Sequence, residues 1–489
     1  MKNNDETKIN TISKKNITKE DTLNGKYKDI DIKIDNENSK HTFNFIDLCC
    51  GIGGFHTALN NIEELQSKCI LASDIDLKCR KTYFMNHGMI VHNDLTKIPK
   101  EKLKDVRIDM VCAGFPCQPF SVAGKRMGLD DTRGTLIYDI FNLIEFLNPK
   151  FVVLENVKGL KSMVNKGDNT EKKIYEWILL KLKTLGYLYF DRILSPHEIG
   201  IPQKRDRVII VGVRSDLVSS ELHNDFQNIQ LNNIKNLIDE RKLKNTQENK
   251  ILQEEKEIED EYKFTDKEKN IIDVWKKFVS MKEWDLISNS ELNRIYSDTL
   301  KLKKKTDRSF KQSHIFIDFL LYKNNKKVPQ NVPYYKTRRN GEISQSVYDD
   351  CERLNIFYDN YEPFKNLIDK FFIENRDNIE KMSYMGRMLE YSGGMDYGSS
   401  CDLNKCYGQF RQSGTRIRKG HVFPTLVKSG PIPFIIKENR FLTNIECARL
   451  QSFNDDFIFL SRNECMKQTG NAVNTQVIEL MIRSIINYL

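Results

Sequence analysis

With 489 residues, 39% of them hydrophobic, the chain has room for two or three domains with sizeable cores, which excludes a peptide hormone, a knottin or a lone binding motif. Lysine and arginine outnumber aspartate and glutamate by 77 to 68, a net charge of +9 that suits a polyanionic partner without demanding one. No window approaches 18 consecutive apolar residues, the start MKNNDETKIN lacks an apolar core for secretion, and the 11 cysteines form no repeated CxxC pair; the expectation is a cytoplasmic protein with reduced thiols, no membrane span, no disulfide framework and no metal.

Residues 1–42 are Lys, Asn, Asp and Thr with scattered apolar positions and no period, which reads as a disordered polar arm. From there to residue 216 the texture changes to short apolar runs at 43–48, 70–73, 110–113, 151–154 and 208–213, separated by helical stretches such as 136–147 and 172–185. Runs of this kind are what parallel strands buried on both faces require, and their alternation with helices predicts an α/β fold with a Rossmann-like sheet.

Residues 217–440 lose the alternation and read as a second domain. Its charged stretch 251–262 predicts a helix, with the acidic part 254–262 facing outward. Between 301 and 345 there are 12 Lys or Arg against 3 Asp or Glu, interleaved with Phe310, Tyr334 and Tyr335, a pattern suited to phosphate contact as well as to a solvated face. From 441 to 489 the pattern is regular again, with Thr443 as an N-cap before 446–451 and an amphipathic helix after Gly470.

Asp47-Leu48-Cys49-Cys50-Gly51-Ile52-Gly53-Gly54-Phe55 is a strand running into a glycine turn and a helix, and an ordinary tight turn explains it as readily as a ligand loop. Asp74-Ile75-Asp76 and Asp94 add acidic positions at successive strand ends, where a carboxylate can accept from ribose hydroxyls; helix capping is the competing explanation. The spacing departs from GxGxxG, so S-adenosylmethionine, which carries no phosphate, fits better than a dinucleotide.

Gly114-Phe115-Pro116-Cys117-Gln118-Pro119-Phe120-Ser121 follows a predicted strand, at the end that lines the crevice of an open α/β sheet. Cys69 and Cys112 fit the usual pattern of a buried, inert cysteine, whereas two prolines bracket Cys117 in a loop where a thiolate can be exposed. Glu155 closes the run 151–154, and Gln203-Lys204-Arg205-Asp206-Arg207 precedes the run 208–213. If that last strand runs antiparallel, both arginines face the same crevice as Glu155; a cap and a solvated basic turn are the plainer readings.

In this order the motifs resemble those of the DNA cytosine C5-methyltransferases of bacterial restriction-modification systems. Residues 47–55 are similar to the family's cofactor loop, 114–121 to its nucleophile loop, Glu155-Asn156-Val157 to its carboxylate motif and 203–207 to its QxRxR motif. Pro424-Thr425-Leu426, the stretch from Leu442 to Gln451, and Gln468-Thr469-Gly470-Asn471-Ala472-Val473 are similar to its later blocks, so the resemblance covers 43–216 and 416–480. It implies an S-adenosylmethionine-dependent methyltransferase domain at 43–216, a smaller target-recognition domain at 217–440, and a segment 441–489 that returns to pack beside the cofactor loop.

The resemblance also implies roles. The donor is held by Asp47, Cys49, Gly51, Gly53 and Gly54 in the loop, by Asp74, Ile75 and Asp94 at strand ends, and by Pro116, Leu136, Asn471 and Val473. Cys117 attacks cytosine C6, Glu155 donates at N3, and Arg205 and Arg207 lie near the base O2 and the thiolate. Gln118, Ser121, Lys125, Arg126, Arg133, Gln203 and Thr425 contact DNA. The implied partners are double-stranded DNA, whose target base is flipped out of the stack, and a cognate restriction endonuclease; the enzyme is expected to be a monomer without a metal. Cys49 and Ile75 depart from aromatic residues common in the family. Two other functions stay open: cytosine C5 methylation of tRNA, and DNA binding on the same fold without catalysis.

Overall fold

Twelve strands order the described part of the chain, and six of them build the sheet that carries the motifs. The computed structural model describes residues 42–116, 136–163, 174–248, 251–254, 257–288, 314–316, 362–382, 388–390, 398–400, 402, 406–411, 414–419, 422–428 and 430–488. Contacts divide the chain into one unit of Met1–Gln253, Pro424–Ser429 and Asn444–Leu489 and another of Glu254–Phe423 and Gly430–Thr443.

In chain order the first unit begins β1 (Phe43–Leu48), α1 (Gly54–Asn60), β2 (Ser67–Ser73), α2 (Leu77–His87), β3 (Met110–Gly114), α3 (Leu136–Leu147) and β4 (Phe151–Val157). It continues with α4 (Ile174–Thr184), β5 (Tyr187–Leu194), β6 (Arg207–Arg214) and α5 (Phe226–Glu248). The described elements of the second unit include α6 (Asp266–Val279), β7 (His314–Phe316), α7 (Glu362–Glu380), β8 (Met388–Glu390), β9 (Cys406–Arg411), β10 (Gly414–Lys419), β11 (Pro433–Ile435) and β12 (Arg440–Phe441). The chain then returns to the first unit with α8 (Asn444–Leu450), α9 (Arg462–Asn471) and α10 (Thr475–Arg483).

The first sheet has the order β2-β1-β3-β4-β6-β5, with β1 to β4 parallel and β6 antiparallel to both β4 and β5. This is an α/β fold with a Rossmann-like, doubly wound sheet. Its strands read as unbroken apolar runs because both faces are covered. Phe45, Cys112, Val153 and Val211 pack on one side with Phe55 and Leu59 of α1, Ile234 of α5 and Ile478 and Met481 of α10. Ile46, Val111, Val152 and Leu154 pack on the other with Ile140 and Phe141 of α3 and Ile178 of α4. Each such aliphatic side chain, fully buried, contributes about 1.5–3 kcal/mol. Helix α10 starts where Asn474 accepts from the Val477 amide at 3.0 Å, and it lies in the same apolar layer as α1, the helix that follows the glycine turn.

The second sheet has the order β12-β11-β9-β10-β8-β7. Phe264, Phe410, Phe434 and Phe441 form an aromatic cluster on it, with ring centroids 4.6–6.3 Å apart.

Two expectations are corrected. The helix expected over 251–262 is absent from the described residues there, which hold a 3-10 turn at Asp260–Tyr262 and a further 3-10 residue at Glu257. Tertiary contacts hold this stretch: Glu446 Oε1 accepts the Gln253 amide at 2.9 Å, Arg449 donates to the Ile251 carbonyl at 3.1 Å, and Ile258 and Tyr262 are buried, while Glu254, Glu257, Glu259, Asp260 and Glu261 face outward. The first unit also runs through Gln253 and takes in α5, past the boundary expected at residue 216. Ile234 and Ile238 of α5 belong to the sheet's own core, which is the physical reason.

Candidate active site

Because β6 runs against β4, the carboxyl ends of β1 to β4 and the start of β6 meet at one sheet edge. Gly114 pairs with Glu155 and Val157 with Arg207, and Asn156 Nδ2 donates to the Phe115 carbonyl at 3.1 Å, tying the strand ends together. Arg207 Nε lies 3.0 Å from Glu155 Oε1. Burial pushes the Glu155 carboxyl above its ordinary value, and the Arg207 and Arg205 guanidiniums offset part of that rise. A carboxyl poised this way can hold a proton and donate it to a ring nitrogen.

On the same edge the turn after β1 has Gly51 at φ 55° and Gly53 at φ 90°, left-handed values that glycine adopts without cost. A side chain at Gly53 would also collide with the His87 imidazole. The Gly51 amide donates to Asp74 Oδ2 and the Asp76 amide to Asp74 Oδ1, both at 2.8 Å. Burial raises the Asp74 carboxyl, and these two amides pull it back down. Ile75 beside it is 83% exposed, an apolar side chain facing outward next to a carboxylate. Cys49 has φ 50° and is half-buried, its thiol pushed up by burial and by the charges of Asp74 and Asp47. An oriented carboxylate, a glycine turn and an apolar side chain are the donor set a nucleoside needs, so these residues fit S-adenosylmethionine.

Other predicted residues divide. Val473 packs against Gly54 and Gly114, and Asn471 ends α9, exposed. Pro116 is half-buried just past β3, and Leu136 opens α3. Asp94 caps a 3-10 turn, accepting from the Thr96 amide at 3.0 Å, so its carboxylate is already in use. Asp47 is fully buried; neither oxygen has a well-placed hydrogen-bond partner, the His56 amide and Tyr83 hydroxyl being nearby donors, and its side chain is closed to an outer ligand. Burial, and after it the charge of Asp74, raises this carboxyl well above its ordinary value.

Two further predicted residues are engaged within the protein itself. Arg205 was expected near the base O2, but its terminal nitrogens donate to the carbonyls of Leu426 at 2.9 Å, Gly470 at 3.1 Å and Ala472 at 2.7 Å, leaving them no donor to spare. Burial weighs against its charge, which these carbonyls stabilise. Gln203 was expected on DNA, yet it is 0% exposed. Thr425 is half-buried and its hydroxyl donates to the Lys204 carbonyl. Gly470 of α9 lets the segment 427–428 approach closely: a Cβ there would lie 2.5 Å from the Lys428 nitrogen and the Val427 carbonyl carbon.

Cys117, Gln118, Ser121, Lys125, Arg126 and Arg133 lie outside the described residues, as does the basic stretch 301–345 apart from His314–Phe316. Sequence reasoning missed a buried group beneath the turn: His56 Nδ1 and the Tyr83 hydroxyl are 2.8 Å apart, and His56 stacks on His87 with centroids 4.2 Å apart. No pattern in the sequence marks those three. Among the described residues no His, Cys, Asp or Glu cluster could hold a metal ion, and no helix is long and apolar enough to cross a membrane.

The sequence is similar to those of known proteins. Over 179 residues the chain is 43% identical to "Type II methyltransferase M.HpaII" of Haemophilus parainfluenzae, covering 36% of this chain and 48% of that protein. Over 216 residues it is 36% identical to "Type II methyltransferase M.BsuFI" of Bacillus subtilis, covering 44% and 49%. The chain thus spans about half the length of these two relatives. Over 461 residues it is 28% identical to "Type II methyltransferase M.BanI" of Aneurinibacillus aneurinilyticus, covering 90% and 95%. The family model described as C-5 cytosine-specific DNA methylase matches residues 43–487, and the chain belongs to that family.

Proposed function

We propose that this protein is an S-adenosylmethionine-dependent DNA cytosine C5-methyltransferase that marks host DNA in a restriction-modification system, with a cognate endonuclease as counterpart. The observation that carries the reading is the Glu155–Arg207 pair at the end of β4, on the sheet edge that also bears the glycine turn and Asp74. Membership of the family supports the reaction type, and the names of the relatives support the restriction-modification setting.

Cytosine C5 is a weak nucleophile, so the chain must activate it. Cys117, which follows Pro116 in sequence, forms a bond from its sulfur to C6, and the displaced ring electrons are received at N3 as Glu155 delivers a proton there. Arg207 steadies the Glu155 carboxyl through their 3.0 Å contact. Gly51, Gly53, Asp74 and Ile75 would hold the donor. S-adenosylmethionine, when bound there, supplies the electrophilic methyl group. Loss of the C5 proton then lets the sulfur–C6 bond break and the C5–C6 double bond re-form, which frees Cys117 as a thiolate while the N3 proton returns to Glu155. C5 and C6 are inaccessible in a stacked pair, so the base is flipped out at a cost of a few kcal/mol. The basic stretch 301–345 and Lys125, Arg126 and Arg133 are the side chains we assign to the DNA backbone.

Bisulfite sequencing of plasmid DNA from cells expressing the wild type and Cys117→Ser tests this. Protected cytosines at a fixed sequence with the wild type, and none with the variant, are expected. Unprotected DNA together with methylated tRNA, or equal protection by both forms, overturns the reading.

A further inference from the structure

Tyr83 on α2 is fully buried, and the chemistry above gives its hydroxyl nothing to do. A buried hydroxyl is costly unless it is hydrogen-bonded, and this one reaches off its own helix in two directions. It lies 2.8 Å from Nδ1 of His56 on α1 and 3.6 Å from Sγ of Cys69 on β2, so one oxygen joins three elements. Burial raises the phenol well above its ordinary value, so the group stays neutral and acts as a tie. What the tie holds lies directly above it. Gly53 ends the glycine turn and caps α1; its amide donates to the Cys50 carbonyl at 2.9 Å, and the Cys50 amide donates to the Ser73 carbonyl at the end of β2 at 3.0 Å. Having no side chain, Gly53 is placed by what its α-carbon rests on: a Cβ there would lie 2.7 Å from Cδ2 of His87 and 3.1 Å from Cε2 of Tyr83. His87 in turn packs on both rings of the bonded pair, its centroid 4.2 Å from that of His56 and 4.7 Å from that of Tyr83.

Resting on the donor-site reading above, we propose that Tyr83 is a positioning residue: its hydroxyl, bonded to His56, fixes the floor of rings on which the glycine turn keeps the shape that receives S-adenosylmethionine. Glycine loses more conformational freedom on ordering than any other residue, so a turn built on Gly51, Gly53 and Gly54 binds well only when something else has already fixed it. Apolar packing sets how near the rings come. A hydrogen bond is directional and also sets how the Tyr83 and His87 rings face Gly53. Without that bond the turn spends part of its time in other shapes, and the apparent affinity for the donor falls by the fraction that remains competent. The bond touches neither Glu155 nor Arg207, so the chemical step at saturating donor is left as it was.

The test is calorimetric binding of S-adenosylhomocysteine to the full chain, with steady-state kinetics on plasmid DNA, for Tyr83→Phe, His56→Phe, the double variant and Asp74→Asn. Tyr83→Phe removes one oxygen and should weaken binding about three- to tenfold, the worth of one hydrogen bond. The KM for the donor should rise by the same factor, while kcat and the KM for DNA stay as in the wild type. His56→Phe keeps the ring and deletes Nδ1, so the double variant should bind no more weakly than the weaker single. If a His56 variant does not fold, hydrogen–deuterium exchange of Tyr83→Phe serves instead. Exchange should quicken at residues 50–54 and be slowed again by saturating S-adenosylhomocysteine. Binding of Tyr83→Phe at wild-type strength, losses that add, a fall in kcat equal to the rise in KM, or exchange that quickens equally along β1 and β2 overturns the proposal. If Asp74→Asn binds like the wild type, the donor-site reading itself fails; if Asp74→Asn is weak and Tyr83→Phe is tight, only the Tyr83 inference fails.

Discussion

Arg207 Nε stands 3.0 Å from the Oε1 of Glu155, so the residue that opens β6 bears on the protonation of a residue near the end of β4. Burial raises the Glu155 carboxyl and Arg207 restrains it. Replacing Arg207 with methionine should raise it further and move the Glu155 limb of the pH–rate profile to higher pH. An unmoved limb would show that the pair does not govern the titration.

Glu155→Gln should lower kcat by about 10²- to 10⁴-fold, the range of a lost general acid. Stability should move the other way. A carboxyl raised on folding binds its proton more tightly in the folded chain, so its contribution is present below the ordinary carboxylate range and falls as pH rises through the raised value. Urea titration at neutral pH should find Glu155→Gln at least as stable as the wild type.

Arg205→Met leaves the carbonyls of Leu426, Gly470 and Ala472 without their donor. Unsatisfied buried acceptors cost about 1–3 kcal/mol each, so chemical denaturation should show a loss of about 3 kcal/mol or more. Lysine should recover little, since one ammonium cannot copy the planar fork. A stable Arg205→Met that merely loses activity would return this arginine to the substrate.

A methyl group at Gly470 meets backbone rather than a movable side chain. Gly470→Ala should destabilise the chain by about 1–3 kcal/mol, as overpacking does, read as a lowered thermal midpoint.

Acid should loosen the layer beneath the glycine turn. Burial, and then the neighbouring His87, lowers the His56 imidazole well below its ordinary value. The unfolded chain therefore takes up a proton that the folded one refuses; the stability is present above about pH 6.5 and is lost as pH falls below it. Melting curves from neutral to acid pH should drop more steeply for the wild type than for His56→Gln. Parallel curves would exclude His56 as the cause.

Most of the first sheet was legible because strands covered on both faces must be apolar throughout: Phe43–Leu48 and the helix Leu136–Leu147 have the bounds expected of them. Strand β5 carried no such mark, since Tyr187–Leu194 lies at the sheet's edge, five of its eight positions are partly exposed, and it includes Asp191 and Arg192. At the site, the motifs carried Glu155, Arg207 and Asp74 to one edge, because residues at strand ends inherit their position from strand order. Motif membership could not separate Arg207, which meets Glu155, from Arg205, which binds backbone carbonyls two residues earlier. Tyr83 and His56 were silent because their roles come from what surrounds them, not from spacing.

Helix α10 completes the apolar layer that α1 begins, although some 400 residues of synthesis separate them. On the ribosome the sheet's first helix therefore waits, its Phe55 and Leu59 uncovered, while the whole intervening unit is made. Closing so distant a pairing is slow and leaves sticky surface exposed, so nascent chains halted before residue 475 should be chaperone clients and prone to aggregate.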